Sequence, residues 1–393
     1  MISEHKIKVT AVINDILIGG AQSVLLDIAS LIDKSTFDFT LCYFKDYGAT
    51  RQNFQKEFEA TGVVPTNLGK GSSRFMTSFF RLYRHLRQER PDILHCGLPD
   101  AVILGVFAGR LAGVKKIIIH EMNTHRFYSR KLEFFFRLAR RFADLTITYQ
   151  ETLETELFGD FKILQEPVTS LKRKSYTIYN GINLEKADEI KRNTSYEEKR
   201  RELGVNLETT LIFSAARLIP WKGFEYLLRA MPEVVVACDD VTLLIAGEGE
   251  QEPLLRDLIN EFDLSGVVKL IGPRTDVYEI LAVSDIYPQA YAYPEGFSSI
   301  SISMAGMESM AFGVPVVASK YPALYDHIED KVNALIVEPR DIHGLAEALI
   351  FLVRNKEARK RIGERARLFV EGNFSSRKTV VIYESIYQAL LSV

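Results

Sequence analysis

The sequence predicts an α/β protein built from two doubly wound, Rossmann-like domains. Three observations favour this fold class: the length of 393 residues, the alternation of short β-branched runs with longer amphipathic runs, and the return of that pattern in the second half. One hydrophobic core seldom holds so many residues, so two domains are expected. Short apolar runs that alternate with helical segments are typical of a parallel sheet.

Ten runs are predicted as strands, five in each half of the chain. Those of the first half are 7–13, 38–44, 92–97, 116–121 and 144–149. Those of the second half are 210–217, 241–249, 267–272, 285–290 and 314–319. The charged segment between them has no strand-like run, so we predict an N-terminal domain over 1–183, a linker over 184–205 and a C-terminal domain over 206–374. The carboxyl ends of the two sheets are expected to face a central cleft that holds a ligand.

Composition indicates an ordinary globular protein and a reducing compartment. Hydrophobic residues make up 47% of the chain and charged residues 25%, which does not indicate disorder. Cys42, Cys96 and Cys238 are scattered without metal-ligand spacing, and we interpret them as packing residues. No run has the length of a signal peptide's apolar region or the about 18 apolar residues of a membrane span. We therefore expect a cytoplasmic protein.

Charge is distributed unevenly, and residues 70–141 hold 15 basic against 5 acidic side chains. Two predicted helices in this region, 73–90 and 126–143, are basic and rich in aromatic residues. The first places Phe75, Phe79, Leu82 and Leu86 on one helical face, and the second carries a stripe of Arg126, Arg130, Arg137 and Arg141. Such helices either cover the sheet with solvated outer faces or contact anionic lipid. Nucleic acid is not expected, because no recognition motif accompanies the charge.

Two glycine turns follow predicted strands. Gly19 and Gly20 let the backbone approach a ligand just before a helix that is expected to begin near Gln22, although a tight connection without a ligand explains them equally well. The GEG turn at 247–249 carries acidic side chains that repel a pyrophosphate, so we interpret it as structural.

Two cations stand near the end of the first strand of the second domain. Arg217 ends the predicted strand, and Lys222 lies in the loop just before a helix. A guanidinium fork and an ammonium point charge can converge on a diphosphate. Pairing with surface carboxylates is the alternative interpretation.

Two carboxylates flank a Ser-rich loop in the stretch YPEGFSSISISMAGMESMAFGVPVVAS, residues 293–319. Gly296 permits a sharp turn after Glu295, and a helix that carries Glu308 is expected to begin between Ser301 and Ser303. A carboxylate on that helix can accept from both hydroxyls of a ribose. The backbone N–H groups that follow the turn can face sugar hydroxyls or phosphate; they belong to Phe297, Ser298 and Ser299.

A histidine ends one predicted strand of the first domain. His120 follows three isoleucines, at a position where α/β proteins often place functional groups. A hydrogen bond or dipole from its ring could stabilise a transition state, and a buried histidine with satisfied partners is the alternative. We expect His95, in DILHCG, to pack and orient.

Six motifs together resemble the GT-B glycosyltransferases of family 4. They are GGAQ at 19–22, His120, YNGIN at 179–183, ARLIPWKG at 216–223, GEG at 247–249, and EGF followed by ESMAFGVPVVAS. The resemblance implies a retaining transferase that moves a hexose-type sugar from a nucleotide diphosphate sugar to a glycan or lipid-linked acceptor, without a bound metal. No Asp-x-Asp pair occurs in the chain.

The resemblance also implies roles for particular residues. Glu308 would hold the nucleotide ribose, Glu295 the donor sugar, and His120 would lie near the reacting centre. The segment 375–393 would form a helix that crosses back to the first domain. The spacing departs from the family, which has E-x7-E where this chain has E-x12-E, with Ile300 at the position of the first glutamate.

Three functions remain open from the sequence. The first is sugar transfer, in cell-surface polysaccharide or glycoconjugate synthesis, with peripheral contact at the inner membrane face through the two basic helices. The second is epimerisation of a nucleotide sugar, and the third is sugar binding without catalysis. The products made from a labelled nucleotide sugar distinguish all three.

Overall fold

The computed structural model describes residues 6–47, 53–69, 75–122, 129–293, 303–321 and 328–392. They fall into two compact units, of which the first comprises Met1–Gly181 and Ser376–Val393 and the second Ile182–Ser375.

The first unit is built on a seven-stranded parallel sheet of order β3-β2-β1-β4-β5-β6-β7. Its strands are β1 Ile7–Ile13, β2 Phe37–Tyr43, β3 Thr66–Asn67, β4 Ile93–Gly97, β5 Lys116–Glu121, β6 Leu145–Thr148 and β7 Ser175–Thr177. Its helices before the second unit are α1 Gly20–Leu31, α2 Gln55–Ala60, α3 Phe75–Glu89, α4 Pro99–Ala112, α5 Arg130–Phe142 and α6 Glu151–Phe158. The last helix of the chain, Ser376–Leu391, also belongs to this unit.

The second unit contains two three-stranded parallel sheets, joined by a parallel bridge between Ile212 and Ile286. The strands are β8 Thr210–Ala215, β9 Val241–Ala246, β10 Val268–Leu270, β11 Tyr287–Gln289, β12 Val316–Ser319 and β13 Leu335–Val337, and the orders are β10-β9-β8 and β11-β12-β13. The helices are α7 Leu184–Asn193, α8 Tyr196–Glu202, α9 Phe224–Ala237, α10 Glu252–Glu261, α11 Val277–Ala282, α12 Met304–Ala311, α13 Ile342–Arg354 and α14 Lys356–Asn373. A short 3₁₀ turn spans Pro220–Lys222, and the final helix Ser376–Leu391 is α15.

Helices cover both faces of the first sheet, because side chains alternate along each strand. In β1, Val9 and Ile13 pack in one core with α1 and α15, whereas Val12 packs in the opposite core with α3, α4 and α5. Strands that are buried on both faces are apolar throughout, which is why the sequence shows them as continuous runs. This arrangement is the doubly wound α/β class that the sequence predicts.

Three strands were not predicted from the sequence. They contain only two or three residues each, too few to show a period, and they are β3, β7 and β13. Several predicted strands are longer than the observed ones, as in 210–217, where regular pairing ends at Ala215. The predicted helices 73–90 and 126–143 appear as α3 and α5.

The segment 184–205 is not a separate linker, which corrects the sequence prediction. It forms α7 and α8 within the second unit. Arg200 of α8 is fully buried, and its guanidinium donates to Asp285 Oδ2 at 2.5 Å and to the carbonyl oxygen of Thr209 at 2.6 Å. The charged composition suggested a linker, but one of its arginines, Arg200, is buried and anchors the segment in the second unit.

Candidate active site

The loop that follows β8 places Arg217 beside the turn after β9. The N–H of Leu218 donates to the carbonyl oxygen of Glu248 at 2.9 Å, and the N–H of Gln251 donates to that of Leu218 at 3.0 Å. Arg217 itself is exposed. The backbone of this loop is therefore fixed while its guanidinium faces solvent.

The GEG turn supplies the close approach that this loop needs. Gly247 has φ +141°, and a Cβ there would lie 1.9 Å from the carbonyl oxygen of Ala216. A Cβ on Gly249 would lie 2.3 Å from that of Leu218. The two glycines thus allow the turn to pack against the Arg217 loop, which agrees with the interpretation of GEG as a structural turn.

Lys222 ends a 3₁₀ turn whose position is set by Gly223. Gly223 has φ +70°, and a Cβ on it would lie 1.6 Å from the carbonyl oxygen of Ala290. This contact holds the turn against the segment after β11. The Lys222 ammonium donates to the hydroxyl of Tyr291 at 2.8 Å and lies 4.1 Å from the centre of its ring.

Neither cation has a carboxylate partner in the described part of the chain. The ion pairs there include many other basic residues, such as Arg274 and Lys199 with Asp276, but neither Arg217 nor Lys222. Among the described residues, the structure therefore gives no support to the surface-pair interpretation, and the two positive charges between β8 and α9 have no described counterion.

Glu308 lies on α12, whose start is fixed by Ser303. The Ser303 hydroxyl accepts from the N–H of Gly306 at 3.1 Å and donates to Gln289 Oε1 at 2.9 Å. The helix begins at Met304, just past the predicted range of 301–303, since Ser303 is its N-cap. The Glu308 carboxylate accepts from the hydroxyl of Tyr278 at 3.0 Å and is only partly buried.

Tyrosines link the lysine turn to the glutamate helix. Burial raises the pKa of Tyr287, and electrostatic interactions with Tyr291 and Glu308 raise that pKa further. Lys222 contacts Tyr291, so Tyr291 interacts both with the lysine and with Tyr287. The Tyr287 hydroxyl donates to the carbonyl oxygen of Ala215 at 3.0 Å, at the end of β8.

Five predicted site residues lie outside the described residues, in the segment 294–302. They are Glu295, Gly296, Phe297, Ser298 and Ser299. Their predicted roles toward the donor sugar stay predictions.

The glycine pair of the first unit opens α1. The helix begins at Gly20, two residues before the predicted start, and Gly19 is its N-cap with extended backbone. Gln22 Nε2 donates to Asp15 Oδ1 at 2.9 Å, and a Cβ on Gly19 would lie 2.8 Å from Gln22 Oε1. Gly19 has no side chain with which to cap the N–H groups of the first turn.

His120 lies at the end of β5 and is fully buried. Its Nδ1 is 3.2 Å from Nε2 of His95, and the Tyr383 hydroxyl is 3.3 Å from its Nε2. Burial lowers the pKa of His120 well below its ordinary value, so the ring is neutral at pH 7. His95 packs against it, as expected, and the catalytic role of His120 stays a prediction.

The two basic helices expose aromatic side chains to solvent. In α3, Leu82 and Leu86 are buried, but Phe75, predicted on the same face, is 50% exposed and Phe80 is 57% exposed. In α5, Phe134 is 62% exposed and lies between outward-facing arginines; those described are Arg130, Arg137 and Arg141, since Arg126 lies outside the described residues. None of the described helices is long and apolar enough to cross a membrane.

Sequence reasoning missed the tyrosines that surround the charged groups. Tyr278 and Tyr291 contact Glu308 and Lys222, and Tyr383 and Tyr387 contact the two histidines. The tyrosine-rich run 287–293 was the available signal for one of them. In the described part of the chain, no group of three or more His, Cys, Asp or Glu side chains is arranged to hold a metal ion.

Two family profiles match almost the whole chain. Glycosyltransferase Family 4 matches residues 18–186, and Glycosyl transferases group 1 matches residues 195–369. The first match lies mainly in the first unit and the second match in the second unit.

Curated relatives include glycosyltransferases of bacteria. A GDP-mannose-dependent phosphatidylinositol monomannoside mannosyltransferase of Corynebacterium glutamicum is 34% identical over 45% of this chain and 46% of its own. The chain thus spans about half the length of this relative. A UDP-Gal:α-D-GlcNAc-diphosphoundecaprenol α-1,3-galactosyltransferase of Escherichia coli is 26% identical over 91% of this chain and 90% of its own.

Solved structures share the fold over nearly the full chain. Anabaena HepE in complex with UDP and glucose superposes with a TM-score of 0.77 at 20% identity, covering 98% of this chain and 100% of that one. A Rickettsia africae glycosyltransferase superposes with a TM-score of 0.78 at 18% identity, covering 98% and 99%. With both family profiles matched in order and the GT-B fold shared, this chain belongs to the family 4, group 1 glycosyltransferases.

Proposed function

We propose that this glycosyltransferase moves a hexose-type sugar, with retention and without a metal, from a nucleotide diphosphate sugar to a saccharide or lipid-linked acceptor. The observation that carries the proposal is the pair Arg217 and Lys222, which lacks carboxylate partners in the described residues. Departure of a nucleotide diphosphate builds negative charge on the leaving phosphate. Fixed cations at that place stabilise the transition state more than the ground state.

Each cation suits a different part of this task. Backbone hydrogen bonds to the GEG turn fix the position of the Arg217 main chain. The planar guanidinium of Arg217 can bind two phosphate oxygens at once. The Lys222 ammonium lies against Tyr291, which orients it without neutralising it. Two positive charges supplied by side chains are the basis for proposing transfer without a divalent ion.

Glu308 is proposed to hold the ribose of the nucleotide. The carboxylate is partly buried and accepts from Tyr278, and a carboxylate is the kind of acceptor that suits two neighbouring ribose hydroxyls. Glu295 is proposed to attend the donor sugar, and His120 to lie near the reacting centre.

The acceptor is proposed to be a saccharide or a lipid-linked saccharide, like the GlcNAc-diphosphoundecaprenol named for the Escherichia coli relative. Exposed Phe80 and Phe134, set among arginines, suit contact with an anionic membrane surface. Cys42, Cys96 and Cys238 are free and buried, which is consistent with a cytoplasmic site of action at the inner face of the membrane.

Two measurements test this proposal. A labelled UDP-, GDP- or ADP-hexose is incubated with the protein and membrane extract; a labelled saccharide or lipid is expected. A new nucleotide sugar would indicate epimerisation, and an unchanged donor would indicate binding alone.

Phe134→Ser should weaken sedimentation with vesicles that contain phosphatidylglycerol. Leu368→Ser, which alters an exposed residue of the second unit, should not. Equal sedimentation of both variants would exclude the proposed membrane contact.

A further inference from the structure

Two histidines and two tyrosines form one buried cluster in the first unit. His95 comes from β4, His120 from β5, and Tyr383 and Tyr387 from α15. All four side chains are fully shielded from solvent. The rings pack closely, with centres 5.3 Å apart for the two histidines and 5.7 Å apart for His120 and Tyr383.

Their polar atoms form a continuous chain of contacts. The Tyr387 hydroxyl is 2.8 Å from His95 Nδ1, and His95 Nε2 is 3.2 Å from His120 Nδ1. The Tyr383 hydroxyl lies 3.3 Å from His120 Nε2 and 3.5 Å from its Nδ1. The contact at the Tyr387 end of this chain is thus short, and the contacts at the Tyr383 end are longer.

A contact between two neutral imidazoles couples their tautomers. Each neutral ring has one N–H donor and one bare nitrogen acceptor. If His95 accepts a hydrogen bond at Nδ1, its own N–H is at Nε2 and points to His120 Nδ1. His120 Nδ1 must then be bare, and His120 must have its proton on Nε2. The opposite arrangement reverses every donor in the chain.

The Tyr387 hydroxyl decides between the two arrangements. Its hydrogen bond in the described residues is the one to His95 Nδ1, at the 2.8 Å typical of a strong O–H donor. Either arrangement leaves one of the two buried tyrosine hydroxyls without a described acceptor for its proton, and such an unmade bond costs least at the weaker contact. The weaker contact is that of Tyr383, whose oxygen lies 3.3 and 3.5 Å from the two nitrogens of His120, so Tyr387 is assigned as the donor to His95.

We propose that Tyr387 is a positioning residue that, through His95, holds His120 in the tautomer protonated on Nε2. His120 then offers a hydrogen-bond donor, and not an acceptor, from that nitrogen. The effect on catalysis rests on the proposed function, in which His120 lies near the donor sugar. The tautomer itself does not depend on that function.

Nitrogen NMR of the full-length protein with ¹⁵N-labelled histidine tests the tautomer directly, because protonated and bare ring nitrogens have well-separated shifts. The chain has 7 histidines, of which the buried pair should be the ones that do not titrate between pH 6 and 8. The expected spectrum has both rings protonated on Nε2 and bare on Nδ1. A His120 ring protonated on Nδ1 would overturn the proposal.

Two variants test whether Tyr387 is the cause. Tyr387→Phe keeps the aromatic ring and removes the donor, so His120 should show a mixture of tautomers and kcat for the nucleotide sugar should fall about tenfold with KM unchanged. Tyr383→Phe, the matched removal of the other hydroxyl, should leave the tautomer of His120 as in the wild type. A pure Nε2 tautomer in Tyr387→Phe would refute the causal role.

A third variant, His95→Asn, tests the same proposal if Tyr387→Phe does not fold. His95→Asn keeps a polar group near the Tyr387 hydroxyl but removes the contact to His120, so it should release the tautomer of His120 in the same way. An unchanged tautomer in this variant would also refute the proposal. If the tautomers respond as expected while no sugar is transferred, the proposed function is wrong and the positioning role stands.

Discussion

The polar groups that lie at or after strand ends differ in burial and in charge between the two units. In the first unit, His95 and His120 are buried, neutral and bonded to each other and to tyrosines. In the second unit, Arg217 is exposed and Lys222 contacts only the uncharged Tyr291 in the described residues. Buried neutral groups stabilise and orient, whereas charges left without counterions are suited to bind an anion. We therefore expect the second unit to recognise the phosphate groups.

Burial separates two kinds of arginine within the second unit as well. Arg200 is fully buried and donates to Asp285 and to backbone carbonyl oxygens. Arg217 donates to no described side chain. The first should therefore control stability and the second ligand binding.

The largest expected effect is on stability, from Arg200→Met. The change leaves the Asp285 carboxylate and several carbonyl oxygens without their buried donor, so the free energy of unfolding should fall by about 3 to 5 kcal/mol. Urea unfolding measures it. Arg201→Met, at the exposed neighbouring position of α8, is the control and should change stability by less than about 0.5 kcal/mol. Equal loss in both variants would contradict the anchoring role.

Lys222→Ala should weaken nucleotide diphosphate binding by about 1.5 to 3 kcal/mol, because a charge-assisted contact is lost. Turnover should fall as well, and stability should change little. Titration calorimetry with UDP, GDP and ADP measures the affinity. Lys360→Ala removes an exposed lysine of α14 in the same unit and should bind as the wild type does. Unchanged affinity in Lys222→Ala would return this residue to an ordinary surface role.

The histidine cluster should make stability depend on pH in the acidic range. Burial lowers the pKa of His95 to about 4, below its ordinary value of 6.5, so unfolding takes up a proton below pH 6.5. Stability is fully present above that pH and falls toward pH 4, by about 1.4 kcal/mol per pH unit for each histidine. Urea unfolding at pH 7.5, 6.5 and 5.5 measures the slope. In His95→Asn the slope should be about half, and an identical slope would disprove the assignment.

The two glutamates should differ by a smaller amount. Glu308→Gln replaces an acceptor oxygen by a donor, so it should weaken the bare nucleotide and the nucleotide sugar alike, by about 1 kcal/mol. Glu295→Gln should leave the bare nucleotide almost unaffected and reduce turnover and sugar discrimination. Titration and steady-state kinetics distinguish the two. Equal losses of nucleotide affinity would contradict the division of roles.

The regular parts of the fold were predictable from the sequence, and the long-range contacts were not. β1 was predicted with its observed bounds, because seven residues of a doubly buried strand form one apolar run. β3 has only two residues and gives no period. Arg200 fell within the predicted linker, because composition does not reveal that an arginine is surrounded by carbonyl oxygens.

The candidate site shows the same division. Arg217, Lys222 and Glu308 were found from sequence motifs, since each follows a strand or lies on a predicted helix. The contact of Tyr387 with His95 joins residues 292 positions apart, and only the packing of α15 brings them together. The GEG turn was identified as structural from its charges, but its partner, the Arg217 loop, was visible only in the folded chain.

Arg217→Lys tests most directly whether the second unit binds a nucleotide diphosphate through unpaired cations. The substitution keeps the charge but replaces the planar fork by a point charge, so the affinity for the bare nucleotide diphosphate should fall about tenfold. The matched Arg361→Lys, at an exposed position of α14, should bind as the wild type does. Calorimetric titration with the preferred nucleotide gives both values. Wild-type affinity in Arg217→Lys and in Arg217→Ala would contradict the account.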